Sequence, residues 1–94
     1  MIYMLTYELR NSDKSYSDFF IFLEKGLGVD SYRSFRNAWW IDGKSLDMDE
    51  LRFKVKEYLE PGDIFFITKL EADSINGWMP SNAWDWLIDH LKDS

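Results

Sequence analysis

The sequence predicts an α+β sandwich, a small sheet with helices packed on it, from three observations. Ile2-Tyr3-Met4-Leu5-Thr6-Tyr7 and Ile64-Phe65-Phe66-Ile67 read as strands without polar alternation. A half-buried strand alternates, so a run that is apolar at both parities needs cover on both faces. The segments between these runs include two with apolar residues at helical spacing instead. Finally, 94 residues with 46% hydrophobic and 18% aromatic content suffice for one domain, 1–94, with a core that needs no staple.

Residues 2–9 form the first predicted strand, and Asn11-Ser12-Asp13-Lys14 a loop. Ser15 followed by Asp18 reads as a helix start. Tyr16, Phe19, Phe20, Leu23 and Leu27 then recur at helical spacing, and Gly26 and Gly28 supply the stop. Phe20 and Phe66 are expected in the core. Tyr32–Phe35 and Ala38–Asp42 read as two strands around Arg36-Asn37, or as one bent strand, because that turn is not of the strong Asn-Gly type.

Asp47 caps a second predicted helix, with Glu50 three residues on, and Met48, Leu51, Val55, Tyr58 and Leu59 make its inward stripe. Pro61-Gly62 ends it. Residues 63–70 are the last strand. Asn76 to Pro80 is a compact aromatic turn. A third helix starts at Pro80-Ser81, with Ser81 as cap and Trp84, Leu87, Ile88 and Leu91 on one face. Strand, helix, strand, strand, helix, strand is the order of a ferredoxin-like βαββαβ sandwich, here with an additional C-terminal helix. In that topology the first strand is central and the last is an edge unless a partner continues the sheet.

Composition narrows the chemistry. There are no cysteines, which excludes disulfides, thiolate catalysis and cysteine zinc sites. The net charge of −6 disfavours phosphate-binding surfaces, so nucleic acid is not an expected partner. Neither a basic leader nor a long apolar run is visible, so a cytoplasmic protein without a membrane span is expected. No dinucleotide, phosphate-loop or HExxH motif occurs, and no cofactor is expected.

A few residues invite a functional reading. Phe53 and Trp86 fall about 200° from the inward positions Leu51 and Trp84, at about 100° per residue. Large aromatics on a polar helix face suggest a partner surface. Tyr32-Arg33-Ser34-Phe35-Arg36 interleaves cations and aromatics, a partner-binding strip of the kind that stacks bases and holds phosphates, although with only two cations an ordinary sheet edge is the expectation. Simple alternation places Tyr32, Ser34 and Arg36 on one face and Arg33 and Phe35 on the other. Trp39 and Trp40 are adjacent and must point to opposite faces. His90 is the single histidine; its position near a helix end suits the helix dipole better than catalysis.

The blocks Tyr7-Glu8-Leu9, Asn11, Tyr16-Ser17-Asp18-Phe19, Ala38-Trp39, Asp63, Gly77-Trp78-Met79-Pro80 and Ala83-Trp84-Asp85-Trp86-Leu87 span most of the chain. Through them it resembles SinR-like small bacterial and phage proteins, which are similar to the ferredoxin-like CRISPR-associated subunit of the spacer-integration complex. The resemblance implies a homodimer in phage- or CRISPR-related biology. It also implies a superfamily position, after the tyrosine ending the first strand, where an aspartate from each subunit could hold a divalent metal. Glu8 stands at that position here. The leading expectation is a non-enzymatic homodimeric interaction module. One alternative is a Mg²⁺-dependent nuclease with Glu8 as catalytic and metal-binding residue across a dimer axis. A second is an acidic inhibitor of a nucleic-acid-binding protein.

Overall fold

In the computed structural model of the protein, residues 1–11 and 15–92 are described. Most of the loop expected at Asn11–Lys14 lies outside them. Four strands, β1 (Ile2–Glu8), β2 (Ser31–Phe35), β3 (Ala38–Asp42) and β4 (Ile64–Leu70), form one sheet in the order β2-β3-β1-β4, with every neighbouring pair antiparallel. Thus β1 is central and β4 is an edge. Arg36-Asn37 does separate two strands. α1 (Ser17–Ile21) runs on into a π-helical turn, Phe22–Gly26. α2 (Met48–Glu57) connects β3 to β4, and α3 (Ser81–Leu91) follows a short 3₁₀ turn at Ala72–Ser74.

The strand register explains the apolar runs. Tyr3, Leu5 and Tyr7 of β1 sit opposite Ile41 and Trp39 of β3 and Ile67 and Phe65 of β4. Side chains alternate along a strand, so these share one face. There they meet Phe19, Phe22, Leu23, Leu51 and Val55 from the α1 and α2 side. Ile2 and Met4 point to the other face, where Ile2, Trp40, Ala83 and Leu87 form a second buried cluster with α3. The sheet is therefore the middle of three layers. Each fully buried Leu or Phe contributes about 1.5–3 kcal/mol of transfer free energy.

Local details depart from the sequence expectation. Asp47 makes no side-chain cap, and Ser15 lies one residue before the N-cap position, where its Oγ accepts from Ser17 N at 3.4 Å. Tyr16 occupies the N-cap position of α1, while Asp47 does stand at the N-cap of α2. Pro80 takes the N-cap position of α3, so Ser81 is its first helical residue. The π turn lets Phe22, absent from the expected stripe, turn inward and stack on Tyr58 at 4.5 Å between ring centroids. Gly43 lies so close to Tyr3 that a Cβ there would come within 2.6 Å of its ring. Leu46 O accepts from the Tyr3 hydroxyl at 2.8 Å.

Phe20 and Phe66 correct the expected core. Phe20 is half-buried and packs on the edge of the α1 side of the core. Phe66 is 69% exposed, because it stands on the α3 face of edge strand β4, opposite Thr6, where α3 does not reach.

α3 is held to β2 by more than apolar contact. Tyr32, Trp40 and Trp86 stack, with centroids 5.8–6.2 Å apart, and Asn82 Nδ2 donates to the Tyr32 hydroxyl at 3.0 Å. His90 stacks on Trp86 at 3.8 Å. Its two ring nitrogens lie 2.8 Å from Trp86 O and 3.0 Å from Asp30 Oδ2. Burial pushes the imidazole pKa down. The hydrogen bonds to Asp30 and Trp86, with the charges of Asp30 and Asp42, outweigh it and hold the pKa above the ordinary histidine value. A raised folded-state pKa stabilises the fold fully below the unfolded value, about 6.5, and that contribution is lost as pH rises through the folded value. His90→Phe, which keeps the stack but not the charge, should abolish a loss of stability that sets in as pH rises above about 6.5. Denaturant midpoints of the two proteins that fall in parallel over that window would refute the assignment.

Candidate interaction surface

α3 has 11 residues and is therefore about 16 Å long at 1.5 Å per residue. The sheet face beneath it is longer: the seven residues of β1 extend about 23 Å. α3 covers the end bearing Ile2, Met4, Trp40 and Leu70. At the other end Phe35, Ile64 and Phe66 are exposed and Thr6 is half-buried, while Ala38 is buried at 4%. Across it the register runs Phe35↔Ala38, Ala38↔Thr6, Thr6↔Phe66, and one step on Glu8↔Ile64.

That row has a shape. Phe35 and Phe66 stand three strand spacings apart, about 14 Å, with small Ala38 and Thr6 between them. Phe35 is 54%, Phe66 69% and Ile64 48% exposed. The result is two aromatic ridges flanking a shallow trough. Phe35 reaches this face through a register shift between Tyr32 and Phe35. The bulge puts two residues of β2 opposite one of β3, which overturns the simple alternation: Phe35 shares the face of Tyr32, not that of Arg33.

Glu8 borders this surface and is exposed, and its carboxylate lies 3.3 Å from Arg10 Nε. Among the described residues, no group of three or more His, Asp or Glu is placed to hold a metal ion. Phe53 is 66% exposed on the outer side of α2, well away from the row. Trp86 and Tyr32, expected at a partner surface, are half-buried and stacked inside the molecule on Trp40. Trp86 belongs to the inward side of α3 with Ala83 and Leu87, whereas Ile88, expected inward, is 49% exposed. The helix presents its 83/86/87/90 side to β2, a stripe offset from the one that Trp84 and Ile88 suggest.

Arg33 lies over the Phe20 ring at 4.7 Å and donates to Arg36 O at 2.7 Å. It lies on the α1 side of the sheet, and Arg36 is exposed in the turn. The structure thus separates the two cations from Phe35 rather than forming one basic aromatic strip.

Three residues of the sequence blocks, Asn11, Tyr16 and Asp63, do converge. Asp63 accepts from Arg10 N at 2.7 Å, Asn11 Nδ2 at 3.1 Å, the Tyr16 hydroxyl at 2.8 and 2.9 Å, and Glu60 N at 2.9 Å. This clasp ties the end of β1 and the start of α1 to the turn before β4. Burial pushes the Asp63 carboxyl up, but these donors outweigh it and hold its pKa below the usual carboxylate value. With its lone pairs engaged, Asp63 is a structural anchor.

The exposure of Phe35, Phe66 and Ile64 is what sequence reasoning missed. The available signal was the small size of Ala38 and Thr6, together with a third helix too short to span the sheet. Among the described residues, no helix is long and apolar enough to cross a membrane. No protein-family model, curated protein or solved structure matches the chain.

Proposed function

We propose that the chain is a non-enzymatic homodimeric interaction module whose uncovered sheet end closes against that of a second copy. The row Phe35–Ala38–Thr6–Phe66 carries this reading. With a two-fold axis placed midway between a ridge and the trough, each copy seats one aromatic ridge in the other's trough, as an isologous interface requires. A chain of net charge −6 repels its own copy except through a surface poor in charge. This row has none, and Glu8 at its border is paired with Arg10. The free edge of β4, with its unpaired backbone groups, adjoins the same patch and favours association.

The SinR-like resemblance and a ferredoxin-like reading of the fold agree with this proposal. The latter is supported by the strand order taken from the other edge, β4-β1-β3-β2, and by a helical connection in each strand–helix–strand half. Under the same resemblance, the biology would be phage- or CRISPR-related.

Sedimentation tests the association. Wild type should be dimeric at micromolar concentration. Phe66→Glu should weaken the dimer by about thirtyfold, the loss of a central aromatic contact worth about 2 kcal/mol. Because Phe66 is 69% exposed, the monomer should stay folded. Wild type that remains monomeric throughout, or a variant that dimerises equally well, would sink the proposal.

A second reading is favoured by one observation. Glu8 lies on the face that would close, so a dimer formed there would bring two Glu8 carboxylates towards each other, as a Mg²⁺-dependent nuclease would need. Under the leading proposal neither DNA nor RNA is cleaved with Mg²⁺ or Mn²⁺. Cleavage by wild type that vanishes in Glu8→Gln would promote the nuclease instead.

A further inference from the structure

Between the covered end of the sheet, α3 and the 75–79 loop lies a cavity of about 280 Å³, bounded by Met4 and Trp40 from the sheet, Trp84 from α3, Met79 from the loop and Phe35 and Trp78 at the rim. None of the side chains lining it is charged, although 30% of the chain is Asp, Glu, Lys or Arg. Its polar lining side chains are the uncharged Ser74 and Asn76, so phosphates, carboxylates and ammonium groups would find no counter-charge there, and an uncharged guest fits it best. An apolar cavity of about 150 Å³ already holds a benzene-sized molecule, so this one has room for a fused bicycle.

The walls also select for shape and for one polar group. Indole and phenyl faces, with two thioethers, favour a flat aromatic guest. Asn76 lines the loop side of the cavity. Its Oδ1 accepts from Gly77 N at 2.7 Å, which leaves its Nδ2 as a donor. A guest with a hydrogen-bond acceptor would meet that donor. Trp78 is 99% exposed beside Gly77 in an extended loop. An indole left wholly in water forgoes burial that a guest beneath it would supply.

We propose that this cavity binds an uncharged, planar aromatic molecule bearing a hydrogen-bond acceptor, with Trp78 closing over it. The surface assigned to a second copy shares Phe35 with the rim of this cavity, but the tests read different residues, Phe66 for the dimer and Met4 and Met79 for the cavity, so the failure of one is distinguishable from the failure of the other.

Coumarin is a suitable probe, with decalin as a non-planar control of similar size and no acceptor. The chain has four methionines, and their methyl resonances report position. Coumarin should shift the Met4 and Met79 methyls saturably while Met1 and Met48 stay still. Decalin should do neither. Trp78→Ala, at a fully exposed site that folding does not need, should weaken coumarin binding about tenfold, as loss of one stacking face predicts. The proposal is overturned if Met4 and Met79 do not move up to the solubility limit, if all four methyls drift together, if decalin binds as well, or if Trp78→Ala binds unchanged. Shifts at Met4 and Met79 that follow protein concentration without probe would overturn it too, showing that a second copy fills the cavity.

Discussion

Trp40→Ala should destabilise the protein by about 3–5 kcal/mol, the range for deleting a large buried aromatic, and should loosen α3 before the rest. Trp40 is 3% exposed. It is the platform on which Tyr32 and Trp86 stack, and it joins Ile2, Ala83 and Leu87 in the second core cluster. The α1 and α2 side of the sheet does not share that cluster: Leu51, Val55 and Leu23 pack around Leu5 and Ile41. Hydrogen exchange should therefore show protection lost in Ser81–Leu91 while β1 and α2 retain theirs. A denaturant titration showing a change under about 1 kcal/mol, or equal loss of protection everywhere, would contradict this division into two cores.

Asp63→Ala should cost about 2–3 kcal/mol at neutral pH, because hydrogen bonds to a charged acceptor are worth more than neutral ones and several donors lose their partner together. The donors come from β1's end, α1's entry and the α2–β4 turn, so no single neighbour can replace the carboxylate. The pH dependence has a definite sign. The Asp63 pKa is lowered in the fold, so its contribution is fully present above the unfolded value, about 3.9, and is lost as pH falls through the folded one. The stability gap between wild type and variant should hold steady from neutrality to about pH 4 and close below it. A gap unchanged down to pH 2 would show that the clasp acts through packing and not through charge.

Much of the architecture was legible because it depends on local spacing. Residues 2–7 declared a strand covered on both faces, and both cores exist around β1; residues 64–67 do form a strand, but its Ile64 and Phe66 face is exposed. The stripe Leu51, Val55, Tyr58 and Leu59 faces the core as its spacing requires, and Gly62, with φ of 98°, makes the turn after α2. The candidate surface was far less legible. Phe66 looked like core because its strand is apolar throughout; nothing in the strand says how far a helix on the far side extends. Phe35 changed faces because of a bulge, and a bulge depends on pairing with β3, not on the Tyr32–Phe35 segment itself. Trp86 was read one face out because helical phase alone does not say where its neighbour lies.

By itself the sequence determined the elements, their order, the need for cover on both sides of the sheet and the exclusion of cysteine chemistry. Periodicity and composition are properties of short segments, and short segments carry them unaided. The tertiary structure alone decided the register that lines up Phe35, Ala38, Thr6 and Phe66, the docking of α3 over only one end of the sheet, and the meeting of Asn11, Tyr16 and Asp63. Each of these joins residues far apart in the chain, and their distance is fixed by the packing of whole layers.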